Sequence, residues 1–300
     1  MPQIKQDWAE ALLLGIREWF QVGYAKRPIM FPELFSMQTS NSDSEFYHSF
    51  GAVSPDAWAD FKNTGRVASV GFDKGYKTTF THEEYVVELP IRRTLIEDNK
   101  YPQIIDATQQ LGDSAALKRE HDAASVFNNC SAAAYAGGDG VPLTDAAHPA
   151  SPTKAATTQA NEATSALSAT ALAAARLAMM AFTDDVNELA GVIPDLLLVG
   201  PSLEDSAKIL CQTPTKTSSA DADINPRYGL QYKVWPYLTS ASQWFLIDSI
   251  KMKQSLIWFD RSPVSIVPKV EDKTLWATYI SEMRYSYGWR DWRWIYRGNA

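Results

Sequence analysis

Four histidines, His48, His82, His121 and His148, and two cysteines, Cys130 and Cys211, are the side chains best suited to metal or acid–base chemistry. No two of the histidines stand at metal-ligand spacing, and His121 beside Asp122 reads as the solvated face of a helix. Neither cysteine has a CxxC partner, which leaves two buried thiols and no disulfide framework. The run Gly137 to Gly140 lacks the following Lys-Ser/Thr of a phosphate loop and reads as a turn. Gly200-Pro201-Ser202 stands at a strand-to-helix junction, where an anion could bind, yet no basic residue accompanies it. No GxSxG elbow is present. The pairs Glu83-Glu84 and Asp184-Asp185 read as exposed charge. The expectation is a protein with no catalytic residue, no cofactor and no metal.

The side chains that do stand out are aromatic and basic. From Arg284 the chain reads RYSYGWRDWRWIYRGNA, with Tyr285, Tyr287 and Trp289 on one phase and Trp292, Trp294 and Tyr296 on the other. Alternation with period two marks a strand, and the change of phase between Gly288 and Asp291 marks a bulge or a change of neighbours. Six rings that bury roughly 150–250 Å² each cannot be left on a frayed end. The segment must dock, either as a closing core strand or against another copy of the chain. Arg284, Arg290, Arg293 and Arg297 add the aromatic–arginine composition of interface hot spots.

Composition bounds the rest. The 300 residues carry 45% hydrophobic and 12% aromatic side chains, enough for a substantial core. A net charge of −7 argues against a surface built to grip nucleic acid. Glu10 interrupts the most apolar N-terminal run, so no signal peptide is expected, and no apolar run reaches the roughly 18 residues of a membrane span. A soluble protein made in the cytoplasm is expected.

Trp8, Leu12, Ile16, Trp19 and Phe20 share one face of an N-terminal helix. From Gln21 to Phe61 prolines and polar residues break any long element, yet Phe31, Leu34, Phe35, Phe46, Tyr47, Phe50 and Trp58 are scattered through it. This predicts an extended arm lying on a surface, its own or a neighbour's. Arg66 to Leu89 predicts a long hairpin that turns at Asp73-Lys74-Gly75; its outgoing arm of roughly 45 Å must bend, split or project. A helix is expected from Pro102 to about Asn129, with Gly112 a weak point near its middle. Ala136 to Ala160 predicts a loop or mobile connection, Ser168 to Phe182 a helix and Asp195 to Val199 a buried strand. Ser202 and Asp205 have capping-box spacing. Further strands are expected at Tyr228–Pro236, Gln243–Ile247, Ser255–Phe259 and Val264–Val267, and no repeat is present.

This order of elements resembles the major capsid proteins of tailed bacteriophages, with the Hong Kong 97-type fold, and most of all the Mu-like major head subunit family. Three stretches carry the likeness: Asp139-Gly140-Val141-Pro142-Leu143 with Ala147-His148-Pro149, Asp195 to Glu204 with Ala207 to Leu210, and Arg293 to Ala300. The resemblance implies an α+β fold with an N-terminal arm over residues 1–60 and an extended β-hairpin loop over 61–92. It implies a peripheral domain with a spine helix over 93–135, an axial domain over 136–263 and return strands to the peripheral domain over 264–300. It implies a shell of pentamers and hexamers enclosing double-stranded DNA without sequence-specific binding, assembled in the host cytoplasm with a separate scaffold, a portal and decoration proteins. Some members begin with a long scaffolding segment, where this chain has a short helix. On this reading Phe72, Lys74, Gly75, Lys77, Trp289, Arg290, Trp292, Arg293 and Trp294 are expected to touch neighbouring subunits. An encapsulin-type compartment shell shares the fold and is the main alternative; a hydrolase with a mobile loop at 136–160 is the other.

Overall fold

The computed structural model describes residues 4–50, 53–58, 61–65, 67, 69, 71, 74–152, 158–215, 223–270 and 276–300. Two helices and two sheets organise them. The N-terminal helix Ile4–Ala25 lies along the 28-residue helix Tyr101–Asn128, which is about 42 Å long at 1.5 Å per residue. Pro102 stands in the first turn, where its missing N–H costs nothing. Ile16 and Phe20 pack with Ile104, Ala115, Ile91, Ile266 and Tyr279 in one core cluster. Gly112, a weak point by propensity, has a packing reason. A Cβ there would collide with the Phe20 carbonyl oxygen, and one on Gly23 would collide with the Gln109 backbone. The two helices touch backbone to backbone because both residues lack a side chain.

The expected surface arm is woven into the body. Phe31–Leu34 is a short helix, and Phe31, Leu34 and Phe35 are buried in the main core. Ser36–Thr39 then pairs in parallel with Leu256–Val270. These aromatics break helical periodicity because each plugs a different gap between elements. Ser44–Phe50 supplies the second correction, since it pairs antiparallel with Lys74–Thr81. The outgoing arm of the hairpin expected from Arg66 to Leu89 has another partner: of the incoming arm only residues 67, 69 and 71 are described, none of them in a strand, and Phe72 and Asp73 lie outside the described residues. Lys74 and Gly75 begin a strand instead of forming a turn. Alternation identified that strand but carried no information about its partner. The long outgoing arm does split, at His82, and Glu83–Arg92 continues into a different sheet.

That sheet has four strands, in the order Ser36–Thr39, Leu256–Val270, Trp276–Trp289, Glu83–Arg92. Where two strands were expected from Ser255 to Val267, a single strand runs from Leu256 to Val270, with register shifts between Asp260 and Ser265 that accommodate Pro263. The second sheet has five strands, in the order Glu162–Ala163, Ile295–Gly298, Trp244–Ile247, Leu196–Val199, Gln231–Val234. Leu196–Val199 and Trp244–Ile247 are buried throughout, as their unbroken apolar sequence requires. The helix Ala169–Met180 is capped by the Ser168 hydroxyl, which accepts from the Ala171 N–H. The Ser202–Asp205 capping box is absent: Pro201–Leu203 forms a 3-10 turn, and Glu204–Gln212 begins at Leu203 without a side-chain cap. The two phases of the C-terminal aromatics belong to two different sheets, because Trp276–Trp289 ends one and Ile295–Gly298 enters the other.

Candidate assembly surfaces

Glu120, buried in the middle of the long helix, accepts from the backbone N–H of Met30 at 2.5 Å and of Phe31 at 3.0 Å. Its second oxygen accepts from the Trp235 indole at 2.9 Å. One carboxylate thus fastens the arm and the strand-following segment to the helix. Arg119 beside it reaches Asp260 at 2.5 Å and the Tyr24 hydroxyl at 2.9 Å, with Trp258 5.2 Å beneath its guanidinium. Asp122 accepts from Lys118 and, at 2.6 Å, from the Tyr285 hydroxyl. Burial and that acceptor push the Tyr285 hydroxyl far above its ordinary value. These groups hold the body together and face no cleft. Sequence reasoning passed over them, because a buried Arg-Glu-x-Asp run on a helix looks like an exposed one until its partners are known.

The loop expected to be mobile is tied down in its described part. Asn161 donates to the Leu143 carbonyl at 2.9 Å and accepts from the Asp145 N–H at 2.9 Å, while the Thr144 N–H donates to the Cys130 carbonyl at 2.8 Å. His148 is fully buried, with Nδ1 2.8 Å from an Asp139 oxygen and its ring stacked on Trp292. The Asp139 and His148 quoted for the family likeness therefore meet. His82 is buried between two serine hydroxyls, and the His121 ring leans on Tyr237 at 5.1 Å. Burial raises the Cys211 thiol to about 11, which makes it a poor nucleophile at neutral pH. Among the described residues no group of three or more His, Cys, Asp or Glu side chains is placed to hold a metal ion. None of their helices is long and apolar enough to cross a membrane.

The residues expected at neighbours divide into two sets. Phe72 lies outside the described residues. Lys74 and Lys77 are exposed, Lys77 with its ammonium 5.0 Å from the Phe46 ring centre. Gly75 lies flat against Ser49, where a Cβ would collide. Arg290 is exposed and lies 4.2 Å over the Tyr47 ring, so the C-terminal turn meets the two-stranded hairpin sheet of Ser44–Phe50 and Lys74–Thr81. Trp289 is half-buried beside Gly137. Trp292 and Trp294 are different, at 4% and 1% exposed. Trp292 packs on His148 and Phe182, and the Trp294 indole donates to the Asp291 carbonyl at 2.7 Å. Arg293 donates to the Thr183 carbonyl at 2.9 Å and to Asp291 at 2.8 Å. The two tryptophans close the chain's own core, so both phases of the segment are filled from within, while Arg293 keeps part of its side chain at the surface. Two adjoining clefts of about 260 Å³ and 320 Å³ share Ser49, Tyr76, Arg290 and Asp291, beside the contact that docks the hairpin sheet on the body, Phe80 and Tyr47 against Phe259.

This arrangement of a long helix, a two-stranded hairpin sheet and two body sheets recurs in virus shells. The capsid of bacteriophage PhiM1 superposes with a TM-score of 0.58 at 12% identity, covering 91% of this chain and 87% of that one. The capsid of cyanophage P-SCSP1u gives 0.56 at 11% identity, over 91% and 88%. A virus-like particle from Pyrococcus furiosus gives 0.54 at 9% identity, over 96% and 99%. At such identities the likeness shows the fold, the Hong Kong 97-type capsid fold. No curated protein matches the chain. The family model described as "Phage capsid protein" matches residues 75–298. The chain belongs to that family: it is a structural protein of the virion, a major capsid protein whose copies build the phage shell.

Proposed function

We propose that the chain builds its icosahedral shell through five- and six-fold capsomers, enclosing the genome without reading its sequence. The hairpin sheet supports this reading most directly. It is docked on the body through Phe80 and Tyr47 against Phe259, yet Lys74 and Lys77 stay exposed and basic, whereas Glu83, Glu84 and Glu88 line an exposed sheet edge. Lys74, Gly75, Lys77, Trp289, Arg290 and part of Arg293 are left with surface for a neighbour. The net charge of −7 limits adhesion to packaged DNA, whose phosphates a basic shell would hold back at ejection. The subunit carries out no catalysis.

The domain division follows the same reading: arm 1–60, extended loop 61–92, peripheral domain 93–135, axial domain 136–263 and return strands from 264. Within that division we assign the strand Leu256–Val270, which runs across residue 263, to the return strands, and Ile295–Gly298, which pairs with Trp244–Ile247, to the axial domain. Kinship with the Mu-like head subunits is supported by the Asp139–His148 pair, which joins the two halves of that motif. A separate scaffold, a portal and decoration proteins complete the assembly, which takes place in the host cytoplasm.

Negative-stain microscopy of the overexpressed chain tests the reading. Closed shells are expected, and Lys74→Glu combined with Lys77→Glu should reduce their yield while leaving the unassembled subunit's melting unchanged. A chain that stays monomeric in the ultracentrifuge at every salt and scaffold condition would overturn it. DNA inside native particles distinguishes a phage head from a compartment shell, which would hold protein cargo.

A further inference from the structure

His82 is the one residue between Lys74–Thr81 of the hairpin sheet and Glu83–Arg92 of the four-stranded sheet, and it is 6% exposed. Both of its ring nitrogens are engaged. Nδ1 lies 2.9 Å from the Ser286 hydroxyl, on a body strand, and Nε2 lies 3.0 Å from the Ser40 hydroxyl, at the end of the edge strand Ser36–Thr39. The Ser40 hydroxyl already donates its only proton to Glu45 at 2.7 Å, and Glu45 belongs to the hairpin sheet. Toward His82, Ser40 can therefore only accept, which puts the ring proton on Nε2 and leaves Nδ1 to accept from Ser286. The polar chain runs in one direction, Ser286 to His82 to Ser40 to Glu45, from body to hairpin.

We propose that His82 is a pH-sensitive joint: its neutral ring locks the hairpin sheet to the four-stranded sheet, and its protonation frees the hairpin. A second proton must go on Nδ1, where it meets the Ser286 O–H, so that hydroxyl has to turn away and the chain of donors breaks. The new charge is buried with Phe259 at its edge, 6.1 Å between centroids. Arg284 and Arg261, from the two central strands of the body sheet, oppose it; Glu45 and Asp43, from the hairpin side, favour it. Burial first, and Arg284 next, hold the imidazole below its ordinary value of 6.5. With the folded value below the unfolded one, the joint is complete above 6.5 and is lost as the pH falls toward the folded value. If the hairpin sheet contacts neighbours as proposed above, the same proton loosens contacts between subunits; the joint itself does not depend on that reading.

Hydrogen exchange of the full chain, at about pH 7.5 and about pH 5.5 with assembly state held constant and rates normalised to intrinsic exchange, reads the joint. Residues 44–50 and 74–81 should lose more protection on acidification than residues 256–259, up to the roughly tenfold that linkage allows one pH unit below 6.5. In His82→Gln, whose amide is neutral and does not titrate, the hairpin and the control should respond alike. Equal loss in both proteins, or no excess loss in the wild type, overturns the proposal. ¹⁵N NMR, with His82 assigned by its disappearance in His82→Gln, provides the second reading. A neutral Nε2–H tautomer titrating below 6.5 is expected; an Nδ1–H tautomer, or titration at or above 6.5, overturns it.

Discussion

The His148 ring lies flat on Trp292, 4.2 Å between centroids and 16° from parallel, while Asp139 holds its Nδ1 at 2.8 Å. Through this stack the loop after the long helix is clamped to the chain's final turn, some 140 residues later in sequence. Phe182 closes the other side of Trp292, edge-on at 5.1 Å. Trp292→Ala removes the ring that all three segments share. A loss of about 3–5 kcal/mol is expected in denaturant unfolding, as for other buried aromatic truncations. A loss under about 1 kcal/mol would mean that the stack merely accompanies the fold.

Truncation after Tyr287 deletes Ile295–Gly298, which pairs along one side of Trp244–Ile247, together with the Trp292 and Trp294 rings. The five-stranded sheet would be left with an exposed apolar edge and a hole in its core. No cooperative melting transition should remain, and calorimetry of any soluble product would show this directly.

Gly112 separates two lines of argument. Helix propensity alone predicts that Gly112→Ala stabilises by about 1 kcal/mol. Contact with the Phe20 carbonyl predicts the reverse, a loss of about 1–3 kcal/mol as the helices are forced apart. The sign of the change in thermal midpoint decides between them.

Glu120→Ala leaves the Met30 and Phe31 N–H groups and the Trp235 indole without an acceptor in the core. At about 1–3 kcal/mol for each unsatisfied donor, several kcal/mol should be lost. Glu120→Gln keeps one acceptor oxygen and should recover part of the loss. Urea unfolding of the two variants gives the ordering.

The long helix, the helix after Ser168, the buried strand at Leu196–Val199 and the docked aromatic end were all legible locally, because periodicity acts over a few residues, whereas the capping box read at Ser202 and Asp205 did not form. Among the residues that the sequence offered for contact, Lys74, Lys77 and Arg290 stay at the surface, whereas Trp292 and Trp294 are buried and Arg293 is half-buried. Spacing gives the phase of a side chain along a strand, and burial depends on what covers that phase.

The sequence by itself determined the long helix, the buried strands at Leu196–Val199 and Trp244–Ile247, that the C-terminal end must be buried, and an order of elements that resembles a capsid subunit. Only the tertiary structure decided the partners. It gave Lys74–Thr81 to Ser44–Phe50, drew Phe31 and Phe35 from an expected surface arm into the core, and divided the last aromatics between two sheets. It also turned His82, Glu120 and Gly112 from unremarkable residues into a joint, a fastening and a contact. Local pattern is written in torsions and side-chain period, whereas pairing between distant strands is chosen by which surfaces fit once the whole chain has collapsed.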